Sequence, residues 1–158
     1  MFTNLKSVYL LPEQVNFLLT GSSLANIWNY GKPNYINLSM IGGTVGEISN
    51  NFKLRLHDWK GRCNVIVTAG LNNISTDQTT NQVMKEFENL ICFVKELNPK
   101  NLISISEVPF APKFTKFSHR AKDNMKKTEE INKGIILLNQ KASQKNLKLC
   151  ISIAGLIP

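Results

Sequence analysis

Histidine is nearly missing from this chain: His57 and His119 are the only two in 158 residues. Within these residues, an imidazole base could come only from one of them; a histidine from sequence beyond them is the other source. Cysteine is also sparse. Cys63, Cys92 and Cys150 are odd in number, widely spaced and set among apolar neighbours, which argues against a disulfide or metal framework and for reduced thiols in a reducing compartment. No metal site and no cofactor are expected. No apolar run approaches the roughly 20 residues that span a bilayer, and Met1-Phe2-Thr3-Asn4-Leu5-Lys6 lacks the apolar stretch of a secretion signal. The expectation is a cytoplasmic protein with no membrane partner. Internal repeats, low-complexity tracts and linkers are absent too, so residues 1–158 read as a single domain, long enough to bury one core. At 42% hydrophobic and 19% charged residues, the composition is that of a globular chain and not a disordered one.

What is present is an alternation of short β-rich runs with longer helical ones. Val15 to Leu19, Tyr35 to Ile41, Val65 to Ala69, Leu102 to Ile105 and Leu147 to Ile153 read as strands, most of them rich in the aliphatic residues that a sheet covered on both faces requires. Thr79 to Leu97 has helical period: Val83, Phe87, Leu90, Ile91, Val94 and Leu97 form one apolar stripe, with Lys85, Glu88 and Lys95 falling away from it. Asn98-Pro99 stops that helix, because a residue before proline disfavours helical geometry. A second long helix is expected from about Asp123 to Ser143, with Ile131, Ile135, Leu138 and Ala142 inward and Asp123 as its N-cap. The alternation predicts an α/β fold: a three-layer, doubly wound, parallel five-stranded sheet of flavodoxin-like type, with right-handed crossovers. Ligands of such sheets bind beyond the carboxyl ends of the strands.

Three turn motifs fall at those ends. Gly21-Ser22-Ser23-Leu24 follows the first strand. Ser39-Met40-Ile41-Gly42-Gly43-Thr44 closes the second, and Gly70-Leu71-Asn72-Asn73 follows the third. A serine at a strand-to-helix turn places its hydroxyl near a helix N-terminus, where free N–H groups favour developing negative charge; serine is equally at home there as a plain N-cap. Gly42 would let substrate approach the backbone closely, or simply punctuate a two-glycine turn. The Asn72 amide is a neutral, permanent donor suited to an oxyanion, although Gly-x-Asn-Asn also suits an ordinary turn.

In this order, after these strands, the three motifs resemble the first three signature blocks of the SGNH (GDSL-type) hydrolases. The resemblance implies Ser23 as nucleophile, with the Gly42 N–H and the Asn72 amide as oxyanion donors. Ser22 and Asn73 stand where that family usually has aspartate. Glu107-Val108-Pro109-Phe110-Ala111-Pro112 and the Asn132…Asn139 helix are also similar to its later features. The family's fourth block, a C-terminal Asp-x-x-His that activates the serine, has no counterpart before Pro158. A serine nucleophile needs a base. His57 adjoins Asp58 near a helix end and reads as a surface residue, while His119, in a cationic loop at the correct edge of the sheet, is the candidate substitute. The remaining turns and the Asn72 amide, at helix N-termini, would also suit a phosphate or carboxylate.

Charge of one sign dominates a single region. Residues 113–148 hold ten Lys or Arg against Asp123, Glu129 and Glu130, so that segment accounts for +7 of a net charge of +8. Phe110, Phe114 and Phe117 interleave there with Lys113, Lys116, Arg120 and Lys122, with Lys126 and Lys127 following. Stacking faces between phosphate-neutralising cations are what single-stranded nucleic acid binding uses; the phenylalanines would equally serve as core anchors of a long loop. Lys53, Arg55, Lys60 and Arg62 form a second cluster around Trp59, either a separate surface or an extension of the same face, and Arg55 and Arg62 join Lys113, Lys116, Arg120, Lys122, Lys126 and Lys127 as the cations expected to contact RNA. The combination of basicity with a missing histidine resembles the non-catalytic, RNA-binding OSK-type branch of the SGNH superfamily, and also the SGNH-like domains that retroelements encode. The leading expectation is therefore a catalytically incomplete SGNH-like domain that binds RNA or another polyanion. The alternative is a serine esterase acting on small acyl or acetyl esters.

Overall fold

A computed structural model of the chain describes residues 14–21, 35–109 and 121–143. Four strands, β1 (Gln14–Gly21), β2 (Tyr35–Asn37), β3 (Arg62–Thr68) and β4 (Leu102–Ile105), form one sheet in the order β2-β1-β3-β4. Every neighbouring pair is parallel. The predicted fifth strand, Leu147 to Ile153, lies outside the described residues. The second strand is shorter than its apolar run suggests. Its sheet bonding stops at Asn37, whose side-chain oxygen accepts from the Ser39 N–H at 2.9 Å and turns the chain.

Among the described residues, four helices connect and cover these strands: α1 (Val45–Leu56), α2 (Leu71–Ile74), α3 (Thr80–Leu97) and α4 (Ala121–Ser143). Both α1 and α3 open with a capping box. Thr44 and Glu47 exchange side-chain-to-backbone bonds at the start of α1, and Thr79 and Gln82 do the same for α3. The predicted stripe of α3 is buried throughout, and Asn98 leaves the helix in an extended conformation. Two expectations need correction. Lys95 does not fall away from the stripe: only 8% exposed, it runs its stem along the core and donates from Nζ to the Asn101 carbonyl. Asp123 is not an N-cap, because α4 begins at Ala121 and Asp123 lies within its first turn, where a carboxylate still complements the helix dipole.

Cys63, Val65 and Val67 of β3 are buried in alternation with half-exposed neighbours, so one face of the sheet carries the core. Phe52 of α1, Phe87 and Leu90 of α3, and Ile131 and Ile135 of α4 close over it with 0% exposure. Burying one such side chain contributes roughly 2 kcal/mol. Two asparagines then fix α4 to the sheet. Asn139 accepts from the Ile105 N–H and donates to its carbonyl at 2.9 and 2.8 Å, and Asn132 does the same for Val108 at 2.7 and 2.9 Å. Seven residues apart, they share one helix face, and each amide imitates a neighbouring strand. Among the described residues, no helix is long and apolar enough to cross a membrane.

Candidate functional site

With β1 between β2 and β3, the crossover from β1 goes one way and that from β3 goes the other. The crevice between their carboxyl ends is the topological switch point where doubly wound sheets bind ligands. The turn motifs converge there. Gly21 ends β1 in register with Thr68 of β3, and its carbonyl accepts from the Met40 N–H at 2.7 Å, which draws the second motif onto the first. Ser22 and Ser23 follow Gly21 directly but lie outside the described residues, as does His119.

Met40 to Gly43 form a tight turn closed by the Gly43 N–H on the Met40 carbonyl at 3.3 Å. Gly42 has φ +74°, a conformation an L side chain rarely adopts, and among the described residues no atom lies within 4 Å of where its Cβ would be. Asn72 answers from the third motif: its Nδ2 donates to the Gly43 carbonyl at 3.0 Å. One amide N–H is thus engaged and the amide plane is set, while the geometry of an NH₂ group leaves its second N–H directed elsewhere. Gly70, at φ +109°, allows the sharp exit from β3; a Cβ there would lie 2.8 Å from Val108.

Asn73 does different work from its neighbour. It is 0% exposed. Its Oδ1 accepts from the Val45 N–H at 2.9 Å, and its Nδ2 donates to Gln78 and Glu86. The residue therefore caps α1 and ties the second motif to the third. This alters the expectation of an anion cradle at helix N-termini, since at the start of α1 the Val45 N–H is taken by Asn73 and the Glu47 N–H by Thr44. Neither Asn73 nor Glu86 stood out as a functional residue in the sequence; a buried asparagine beside a glycine turn gives no periodic signal.

The predicted cations divide. Lys122 and Lys126 are exposed on the first two turns of α4. Lys127 turns inward instead, donating from Nζ to the carbonyls of Asn73 and Thr76 at 3.2 and 2.9 Å; burial lowers its pKa, with Asp77 acting the other way. This contact places the start of α4 beside the third motif. Lys113, Lys116 and Arg120 lie outside the described residues. The second cluster is separate, because α1 runs from the site to the opposite edge of the sheet before β3 begins. Arg55 there is 8% exposed, with its pKa lowered by burial. Lys53 sits over the Phe93 ring at 5.9 Å, and Arg62 is exposed.

His57 is at that same far edge. It caps the end of α1 and pairs with Asp58 at 2.8 Å, with both side chains exposed. A shallow groove of about 560 Å³ lined by Asn50, Lys53, Leu54 and His57 lies there too, away from the three turns. Among the described residues, no group of three His, Cys, Asp or Glu stands close enough to hold a metal.

No protein-family profile matches the sequence, and no curated protein matches it. Solved structures do. The fold is similar to that of a protein from Bacteroides fragilis assigned as an acylhydrolase, with a TM-score of 0.68 at 14% identity over 86% of this chain and 70% of that one. It is also similar to the psychrotrophic esterase EstA of Pseudoalteromonas, with a TM-score of 0.59 at 12% identity over 84% and 74% of the two chains. A member of the lipolytic G-D-S-L family from Veillonella parvula gives 0.60 at 14% identity over 80% and 73%. At such identities the likeness is one of fold. The protein has an α/β architecture built on a parallel sheet, and within that class its fold is SGNH (GDSL-type) hydrolase-like, as the turn motifs imply.

Proposed function

We propose that the chain is a serine esterase-type protein acting on small acyl esters, with Ser23 as nucleophile and the Gly42 N–H and Asn72 amide receiving the oxyanion. One observation carries this reading: the Asn72 amide is locked onto the Gly43 carbonyl beside a left-handed Gly42 whose flank no described residue fills. Donors held in place before the reaction stabilise developing charge without reorganisation. His119 is the proposed base; His57, at the opposite edge, takes no part.

The test is hydrolysis of p-nitrophenyl acetate by the full chain. Asn72→Ala should lower kcat by about 10²- to 10³-fold, the effect typical of removing one oxyanion donor. Ser23→Ala and His119→Ala should each bring the rate to background. Turnover unchanged in Ser23→Ala would overturn the assignment.

A second reading, polyanion binding, is favoured by Lys122 and Lys126 standing exposed on α4 at the edge where the turn motifs meet. It draws less support than the esterase reading. Of the eight cations expected to contact RNA, Lys127 is engaged with backbone carbonyls and Arg55 is buried.

A further inference from the structure

Three helices meet at Asn73. Its side-chain oxygen takes the first N–H of α1, its carbonyl takes the Lys127 ammonium from α4, and its amide reaches Glu86 on α3. The direction of these bonds is settled by chemistry. A backbone N–H can only donate, so Asn73 must turn its oxygen to Val45 and its NH₂ the other way. That NH₂ donates to Gln78 Oε1 at 2.7 Å and to Glu86 Oε2 at 3.3 Å. Gln78, its oxygen thereby occupied, turns its own NH₂ to Glu86 Oε1 at 2.7 Å. The chain of donors ends at Glu86. Each of its two carboxyl oxygens accepts one of these bonds, which a side chain with a single acceptor could not do.

A second feature shows that room has been kept for this carboxylate. Gly46 stands in the first turn of α1, where glycine weakens a helix relative to alanine. A Cβ at that position would lie 2.9 Å from Glu86 Oε1 and 3.1 Å from its Cδ. The glycine is explained by the carboxylate that packs against it.

We infer that Glu86 is a positioning residue of the site: by closing the Gln78–Asn73 donor chain against Gly46, it holds α1, and the Gly42 turn that leads into α1, in register with Asn72. Glu86 touches neither oxyanion donor and acts through Asn73. The inference rests on the reading of Gly42 and Asn72 as those donors.

The experiment uses the full chain. In Glu86→Gln one oxygen becomes an NH₂ that faces a donor, and in Gly46→Ala the new methyl displaces the carboxylate. Both variants should exchange the Val45 amide hydrogen about tenfold faster. The Gly42 and Asn72 amide signals should shift in nuclear magnetic resonance spectra, and kcat should fall about tenfold while KM stays within about twofold. A purely structural role predicts otherwise for Gly46→Ala, since alanine improves the helix. On a Glu86→Ala background, Gly46→Ala should add no further loss, because the group it displaces is gone. Unchanged Val45 exchange and unmoved Gly42 and Asn72 signals would overturn the inference, as would faster exchange with kcat unaltered. If the wild-type chain turns over no ester, the esterase reading falls, and the exchange and amide signals alone decide the role of Glu86.

Discussion

Cys63 shows how a single buried group sets a dependence on pH. The thiol sits on the core face of β3, 5% exposed, and its backbone N–H is held by Asn101 at 2.9 Å. Burial pushes its pKa from 9.0 up to about 12, because an anion in apolar surroundings lacks solvation. In the unfolded chain the thiol ionises near 9.0 and in the folded one near 12. Between those values the unfolded state binds fewer protons, and stability falls as pH rises. Lys127 acts in the opposite sense, since burial lowers its pKa below 10.5 in the fold. A comparison with Cys63→Ala isolates the thiol. In urea unfolding, the stability advantage of wild type over Cys63→Ala should shrink as pH rises from about 8 to about 11. Parallel curves would show that the thiol does not titrate on unfolding.

At the scale of elements, α3 has the clearest local code. Its stripe at helical spacing, its Thr79–Gln82 capping box and its Asn98-Pro99 stop all point to one structure, and the helix forms where they say. Thr79→Ala removes the oxygen that accepts from the Gln82 N–H at 3.2 Å. It should cost about 1 kcal/mol, read as a lower urea midpoint with an unchanged slope; a changed slope would mean that more than the cap was lost. Local rules were less decisive elsewhere. Asp123 suits an N-cap and suits the first turn of a helix already begun, so its identity could not choose between the two registers. Lys95 looked solvent-facing by type, yet its long apolar stem lets it border the core stripe while its ammonium reaches Asn101.

At the scale of the molecule, the sequence left open whether the two cationic clusters share a face, and the fold separates them. Lys122 and Lys126 stand at the carboxyl edge of the sheet, whereas Lys60 and Arg62 stand exposed at the opposite edge. If RNA binds at the α4 edge, Lys122→Ala with Lys126→Ala should reduce the slope of log affinity against log salt by about 1.4, as expected for two lost contacts to a single strand. Lys60→Ala with Arg62→Ala should leave that slope as it was. Fluorescence anisotropy with a labelled single-stranded RNA across a salt series measures both, and equal losses from the two pairs would show that binding is spread over the whole surface.

The four described strands, the α3 helix and the positions of Gly42 and Asn72 at the sheet edge were legible in the residues, because alternation, helical period and glycine-bearing turns are local properties of a chain. Asn72 could be singled out from its amide and its place after β3. What it donates to could not, because Gly43 is separated from it by 29 residues. The same holds for Asn73, which meets α1, α3 and α4 at once, and for the inward turn of Lys127. Such contacts join segments remote in sequence, and only packing of the helices on the sheet brings a carboxylate on α3 to the amide that holds the second and third motifs together.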